Sequence, residues 1–92
     1  MQAEKAVEQY LIRQVKSVGG MCIKLANTGF NGIPDRLVLH NGSAFLVELK
    51  APAGRLSEVQ IARHRQLKEM GFTVYTLWNF EQVDWFMEKL KC

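Results

Sequence analysis

Asp35, Glu48 and Lys50 lie in two stretches of chain that one tight turn would bring together. Two short runs rich in Leu, Val and Phe, Arg36 to Leu39 and Ala44 to Leu49, flank Asn41-Gly42. That dipeptide favours a two-residue type I′ hairpin turn. With Asn41 and Gly42 as the loop, His40 pairs with Ser43, and the same register carried outward sets Asp35 directly opposite Glu48. Opposed side chains have Cβ atoms about 4.5–5.5 Å apart, where like charges are destabilising. Lys50, two residues beyond Glu48, points to the same face because strand side chains alternate.

An isolated Glu-x-Lys is most often a solvated pair that adds little stability. The neighbours here argue otherwise. Leu37, Leu39, Ala44 and Leu46 share the carboxylates' face, and Val38, Phe45, Val47 and Leu49 occupy the other. Both faces are therefore expected to be buried, with the carboxylates at the margin of a core, where an unpaired charge is costly. A hard divalent cation would remove the repulsion, since Mg²⁺ and similar ions take oxygen ligands from one or two carboxylates plus waters.

The elements that must hold this hairpin follow from periodicity. Ala3 to Val18 places Val7, Leu11, Val15 and Val18 on one stripe, which predicts an amphipathic helix ended by Gly19 and Gly20. Met21 to Leu25 reads as a short strand, and Ala26 to Pro34 as a loop rich in Asn and Gly. Ala51 to Leu56 is a connector. Ser57 and Gln60 form a capping box opening a helix to about Met70, and Phe72 to Trp78 is a strand. Asn79 and Gln82 repeat the capping spacing ahead of a last helix with Val83, Phe86 or Met87, and Leu90 on its apolar face. The predicted order is α-β-β-β-α-β-α. It implies an antiparallel meander followed by a crossover, a small mixed sheet flanked by helices.

Ninety-two residues hold one domain, residues 1–92, and folding at this size buries only about 60–65% of the unfolded chain's surface. Hydrophobic residues at 48% and charged residues at 23% exclude a disordered or collagen-like chain. No apolar run reaches the roughly 18 residues of a membrane span, and residues 1–13 lack the apolar stretch of a signal peptide. Twelve Lys and Arg against nine Asp and Glu give a net charge of +3, compatible with a phosphate-rich partner. Cys22 and Cys92 are too few and too far apart for a zinc knuckle or a disulfide scaffold, so a soluble, unexported chain in a reducing compartment is expected.

Pro34-Asp35 followed by Glu48-Leu49-Lys50 resembles the PD-(D/E)XK nuclease motif. The fuller strings GIPDRLVL and FLVELKAPAGRLSEVQ are similar to the VRR-NUC family, the virus-type replication-repair nucleases of that superfamily. The resemblance runs from the first helix to the final strand. It implies a restriction-endonuclease-like core and a Mg²⁺- or Mn²⁺-dependent phosphodiesterase. Asp35, Glu48 and the Leu49 carbonyl would ligate the metal, and Lys50 would activate water and stabilise the phosphate's charge. It also implies a glutamate on the first helix facing the metal. Glu8, bordering the Leu11 and Val15 stripe, is chosen, with Glu4 one turn earlier as the alternative. Gln60 would lie near the catalytic Lys or the water, alongside its capping duty.

Lys24, Arg36, Arg55 and Arg63 are the expected phosphate contacts, with Lys50, His64, Arg65 and Lys68 nearby; the helical cations equally suit a solvated face. Nothing in the sequence places His64 with a nucleophile. The loop from Asn27 to Gly32 has few bulky anchors apart from Phe30 and Ile33 and would mould to nucleic acid. Trp78, Trp85 and Phe86 read as core or subunit interface. Short stand-alone members of the family imply a homodimer cutting four-way (Holliday) junctions, in the cytoplasm of a bacterial or phage-infected cell. A flap- or duplex-directed nuclease and a non-catalytic DNA-binding or interaction module are the competing readings.

Overall fold

Asn41 and Gly42 carry φ angles of 47° and 82°, the two left-handed residues that a type I′ turn requires. The computed structural model describes residues 3–26 and 29–91. Its elements are α1 (Glu4–Ser17), β1 (Met21–Lys24), β2 (Arg36–His40), β3 (Ser43–Leu49), α2 (Glu58–Glu69), β4 (Val74–Leu77) and α3 (Phe80–Lys91). The order matches the expected one. The last strand is trimmed from Phe72–Trp78 to Val74–Leu77, losing two residues at its start and one at its end.

The four strands form one sheet in the order β1-β2-β3-β4. β1, β2 and β3 are an antiparallel meander, and β4 runs parallel to β3 after the α2 crossover. His40 pairs with Ser43 and Arg36 with Val47, the register that the turn dictates.

One face of the sheet carries the core. Val38, Val47, Leu49 and Leu77 pack there against Val7, Leu11 and Val15 of α1 and Val83, Phe86, Met87 and Leu90 of α3. Phe86 meets Phe45 and Tyr75 edge-on, with ring centroids 5.7 and 5.1 Å away. The Tyr10 hydroxyl donates to Asp84 and ties the two helices together. Phe86 is thus core, as expected. Trp85 is not: it is 50% exposed, with the Lys89 ammonium 5.4 Å above its ring.

The opposite face corrects the expectation that both are buried. α2 packs against β4 and over Glu48, and among the described residues no other helix packs on that face. Leu37, Leu39 and Leu46 are only half-buried there, and Ala44 is exposed. Asn27, Thr28 and Cys92, which figured in the loop and cysteine readings, lie outside the described residues.

Candidate active site

Asp35 sits one residue before β2, at the open end of the hairpin. Its carbonyl accepts the Leu25 N–H at 2.8 Å, and its side-chain Oδ2 accepts the Leu49 N–H at 2.9 Å. One residue thereby ties β1 to β3. Glu48 is the next-to-last residue of β3, and Lys50 follows that strand with its N–H on the Leu77 carbonyl at 3.0 Å. The Glu-Leu-Lys segment is held between two neighbouring strands, and Glu48 is only 1% exposed. Asp35 lies near enough for its carboxylate to raise the pKa of Glu48.

Helix α2 closes the site from above the sheet. Ser57 caps it, with its Oγ accepting the Gln60 N–H at 3.1 Å and its N–H donating to Gln60 Oε1 at 2.9 Å. The other end of the Gln60 amide, Nε2, donates to Glu48 Oε2 at 3.3 Å. Gln60 therefore caps the helix and holds Glu48, rather than contacting Lys50. One turn further on, His64 is 4% exposed, with Nε2 3.3 Å from Glu48 Oε1. Sequence reasoning left His64 without a partner. Its i, i+4 spacing from Gln60 was the available signal, because it puts both residues on one helix face.

The electrostatics of this pocket are lopsided. Burial, then the hydrogen bond and charge of Asp35, push the Glu48 carboxyl up to about 9; the Lys50 ammonium pulls it down without prevailing. Burial, followed by the charge of Lys68, holds the His64 imidazole below its ordinary value. Glu48 Oε1 and His64 Nε2 are both buried without a hydrogen-bond partner. Two neighbouring carboxyls that resist ionising together, one with an orphaned oxygen, make a place where added positive charge would be favourable. The oxygen donors of Asp35 and Glu48 fit a hard cation. Among the described residues no three His, Cys, Asp or Glu side chains converge as a ready ligand set, so waters or phosphate oxygens would complete the shell, as suits Mg²⁺.

The first helix divides its two glutamates. Glu8 is engaged by Arg36, whose Nη2 and Nε lie 3.0 and 3.1 Å from Glu8 Oε2. No contact brings Glu8 to Glu48. Glu4 is the glutamate of α1 whose charge acts on Glu48.

The expected phosphate contacts also divide. Arg36 alternates to the α1 side of the sheet, where it holds Glu8 and the Cys22 carbonyl with its side chain only 11% exposed. Its guanidinium is thereby engaged within the fold. Arg63 donates to the Asn31 carbonyl at 2.9 Å and to Gln66 at 2.7 Å, and its guanidinium sits 5.3 Å from the Phe30 ring centroid. It pins the loop to α2 through Asn31 and Phe30, one of the loop's two bulky anchors. Gly32 reinforces the contact: at φ +78° it approaches α2 so closely that a Cβ would lie 2.6 Å from the Val59 carbonyl oxygen. Lys24 and Arg55 remain exposed.

A mixed four-stranded sheet between helices, with paired carboxylates at a hairpin's open end and a lysine two residues on, defines a restriction-endonuclease-like α/β protein. A scan against protein-family models finds no match. The chain is 37% identical over 75 residues to "Putative nuclease p44" of Acyrthosiphon pisum secondary endosymbiont phage 1, covering 80% of this chain and 81% of that one. A solved structure described as a VRR_NUC domain superposes with a TM-score of 0.83 at 31% identity, over 92% of this chain and 94% of its own. The chain belongs to the VRR-NUC family of PD-(D/E)XK nucleases.

Proposed function

We propose that the protein is a metal-dependent DNA endonuclease that resolves four-way junctions as a homodimer, acting in the cytoplasm. The observation that carries the chemistry is the Asp35–Glu48 pair, where a carboxyl only 1% exposed is pushed up to about 9 beside a second carboxylate. Asp35, Glu48 and the Leu49 carbonyl would hold Mg²⁺ or Mn²⁺, with the charge of Glu4 on α1 adding to the field. A bound cation of this kind lowers the pKa of water and acts as a Lewis acid toward a phosphodiester. Lys50, on the same face as Glu48, positions the attacking water and stabilises charge developing on the phosphate. Lys24 and Arg55 contact the DNA backbone.

The dimer reading rests on the open sheet face. Met21, 60% exposed, Leu37, Leu39, Ala44 and Leu46 lie on it, with Phe72, 55% exposed, at its rim. Leu37, Ala44, Leu46, Leu67, Phe72 and Thr73 line an apolar hollow of about 140 Å³. An apolar surface of this kind favours a second copy. Among the described residues no helix is long and apolar enough to cross a membrane.

The test is cleavage of a labelled four-way junction beside flap and linear duplex DNA, with Mg²⁺, Mn²⁺ or EDTA, for wild type and Lys50→Ala. Symmetric nicks in the junction, lost with EDTA and with Lys50→Ala, are the expected result. Preference for flap or duplex would overturn the junction reading. Junction binding without cleavage under any metal would make the chain a binding module. Sedimentation of wild type against Phe72→Asp checks the dimer; a monomeric wild type refutes it.

A further inference from the structure

The Glu48 carboxylate is met on both oxygens by side chains from one turn of α2. Gln60 Nε2 lies 3.3 Å from Oε2, and His64 Nε2 lies 3.3 Å from Oε1. Gln60 has its other amide end in the capping box, so its position is fixed by the start of the helix. His64 is 4% exposed, and its Nε2 has no hydrogen-bond partner, like the oxygen it faces. Leaving a buried polar atom unsatisfied is destabilising, so an apolar side chain would serve packing better. Both orphaned atoms are satisfied together when Nε2–H donates to Oε1, and such bonds are often long in an unliganded site and tighten on binding.

We propose that His64 is a positioning residue which, with Gln60, clamps the Glu48 carboxylate in the orientation that receives the divalent cation. This rests on the reading of Asp35 and Glu48 as cation ligands. Gln60 alone leaves the carboxylate free to turn about its bond to the chain; a second donor on the other oxygen stops that rotation. The role is that of an outer-shell group behind a ligand, whose removal commonly lowers metal affinity 10- to 100-fold. His64 itself touches neither metal nor phosphate in this scheme.

The test is Mn²⁺ binding by titration calorimetry on the full chain, for wild type, His64→Ala, His64→Gln and His64→Leu. Thermal melts and circular dichroism check that each variant is folded. Gln carries an amide N–H donor at about the reach of Nε2, whereas Leu fills the space with no donor. The expected result is a 10- to 100-fold weaker Kd for His64→Ala and His64→Leu, with His64→Gln restoring most of the affinity. Wild-type affinity in the folded Leu variant would overturn the clamp, as would a Gln variant no better than Leu. If wild type binds no Mn²⁺, the cation reading of the site fails and takes the clamp with it.

Discussion

The Asp35 carboxylate accepts the Leu49 amide at 2.9 Å across the open end of the hairpin, so the side chain proposed as a cation ligand also braces the strand that carries Glu48. These two duties separate by substitution. Asp35→Asn keeps an acceptor for the Leu49 N–H and loses the charge. Asp35→Ala loses both.

Asp35→Asn is therefore expected to abolish metal-dependent cleavage, by about 100-fold or more, with little change in stability. Asp35→Ala adds a destabilisation of about 1–3 kcal/mol, because a buried amide is left unsatisfied. Urea denaturation beside the cleavage assay distinguishes them. Equal stability of the two variants would remove the brace.

The pH dependence of stability follows from Glu48. Its carboxyl ionises ordinarily near 4.5 and is pushed to about 9 in the folded chain. Across that window the folded protein holds a proton that the unfolded chain has released, so its contribution to stability is full at the acid end and declines as pH rises. Thermal melts in EDTA at about pH 5, 7 and 9 should show this decline, and Glu48→Gln should remove its share. Added Mn²⁺ should raise Tm most at the alkaline end, where the proton is most easily displaced.

Gly32→Ala should destabilise by about 1–3 kcal/mol, since it puts a side chain at φ +78° and drives a Cβ to 2.6 Å from the Val59 carbonyl oxygen. The loop that Arg63 pins would then lift from α2, and cleavage would fall with it. A melt combined with limited proteolysis reads both; cutting confined to residues 29–33 is the expected pattern.

The four basic candidates should sort into two kinds. Lys24→Ala and Arg55→Ala should each lower the salt dependence of DNA binding by about one unit of slope while leaving Tm unchanged. Arg36→Ala and Arg63→Ala should lower Tm instead, because their guanidinium groups hold Glu8 and the Asn31 carbonyl. Removing Arg36 leaves the half-buried Glu8 without its partner, a loss of about 1–3 kcal/mol.

Much of the site was legible because Asn41-Gly42 sets a register, and register fixes which residues meet. Asp35 and Glu48 followed from that turn alone, although Asp35 reaches its partner from just outside the ladder. The partner of Arg36 was legible by the same logic: alternation sends it to the face opposite Asp35, toward Glu8 of α1. His64 was hidden by the composition of α2. That helix leaves Val59 and Ile61 exposed and buries His64 and Leu67, so its apolar residues point to the wrong face. The open sheet face was missed for a related reason, since a run of Leu predicts burial whether the cover is a helix or another molecule.

Gln60 carries two unrelated requirements in one amide. A helix start accepts either Glu or Gln at that position, as both present an oxygen to the Ser57 N–H. Glu would then turn its second oxygen toward Glu48, carboxylate against carboxylate. Holding Glu48 calls only for a donor, which Lys or Arg also supplies, but neither offers the oxygen the cap needs. The intersection of the two sets is an amide, long enough to reach both ways, so a position with several solutions for each task separately has one when they coincide.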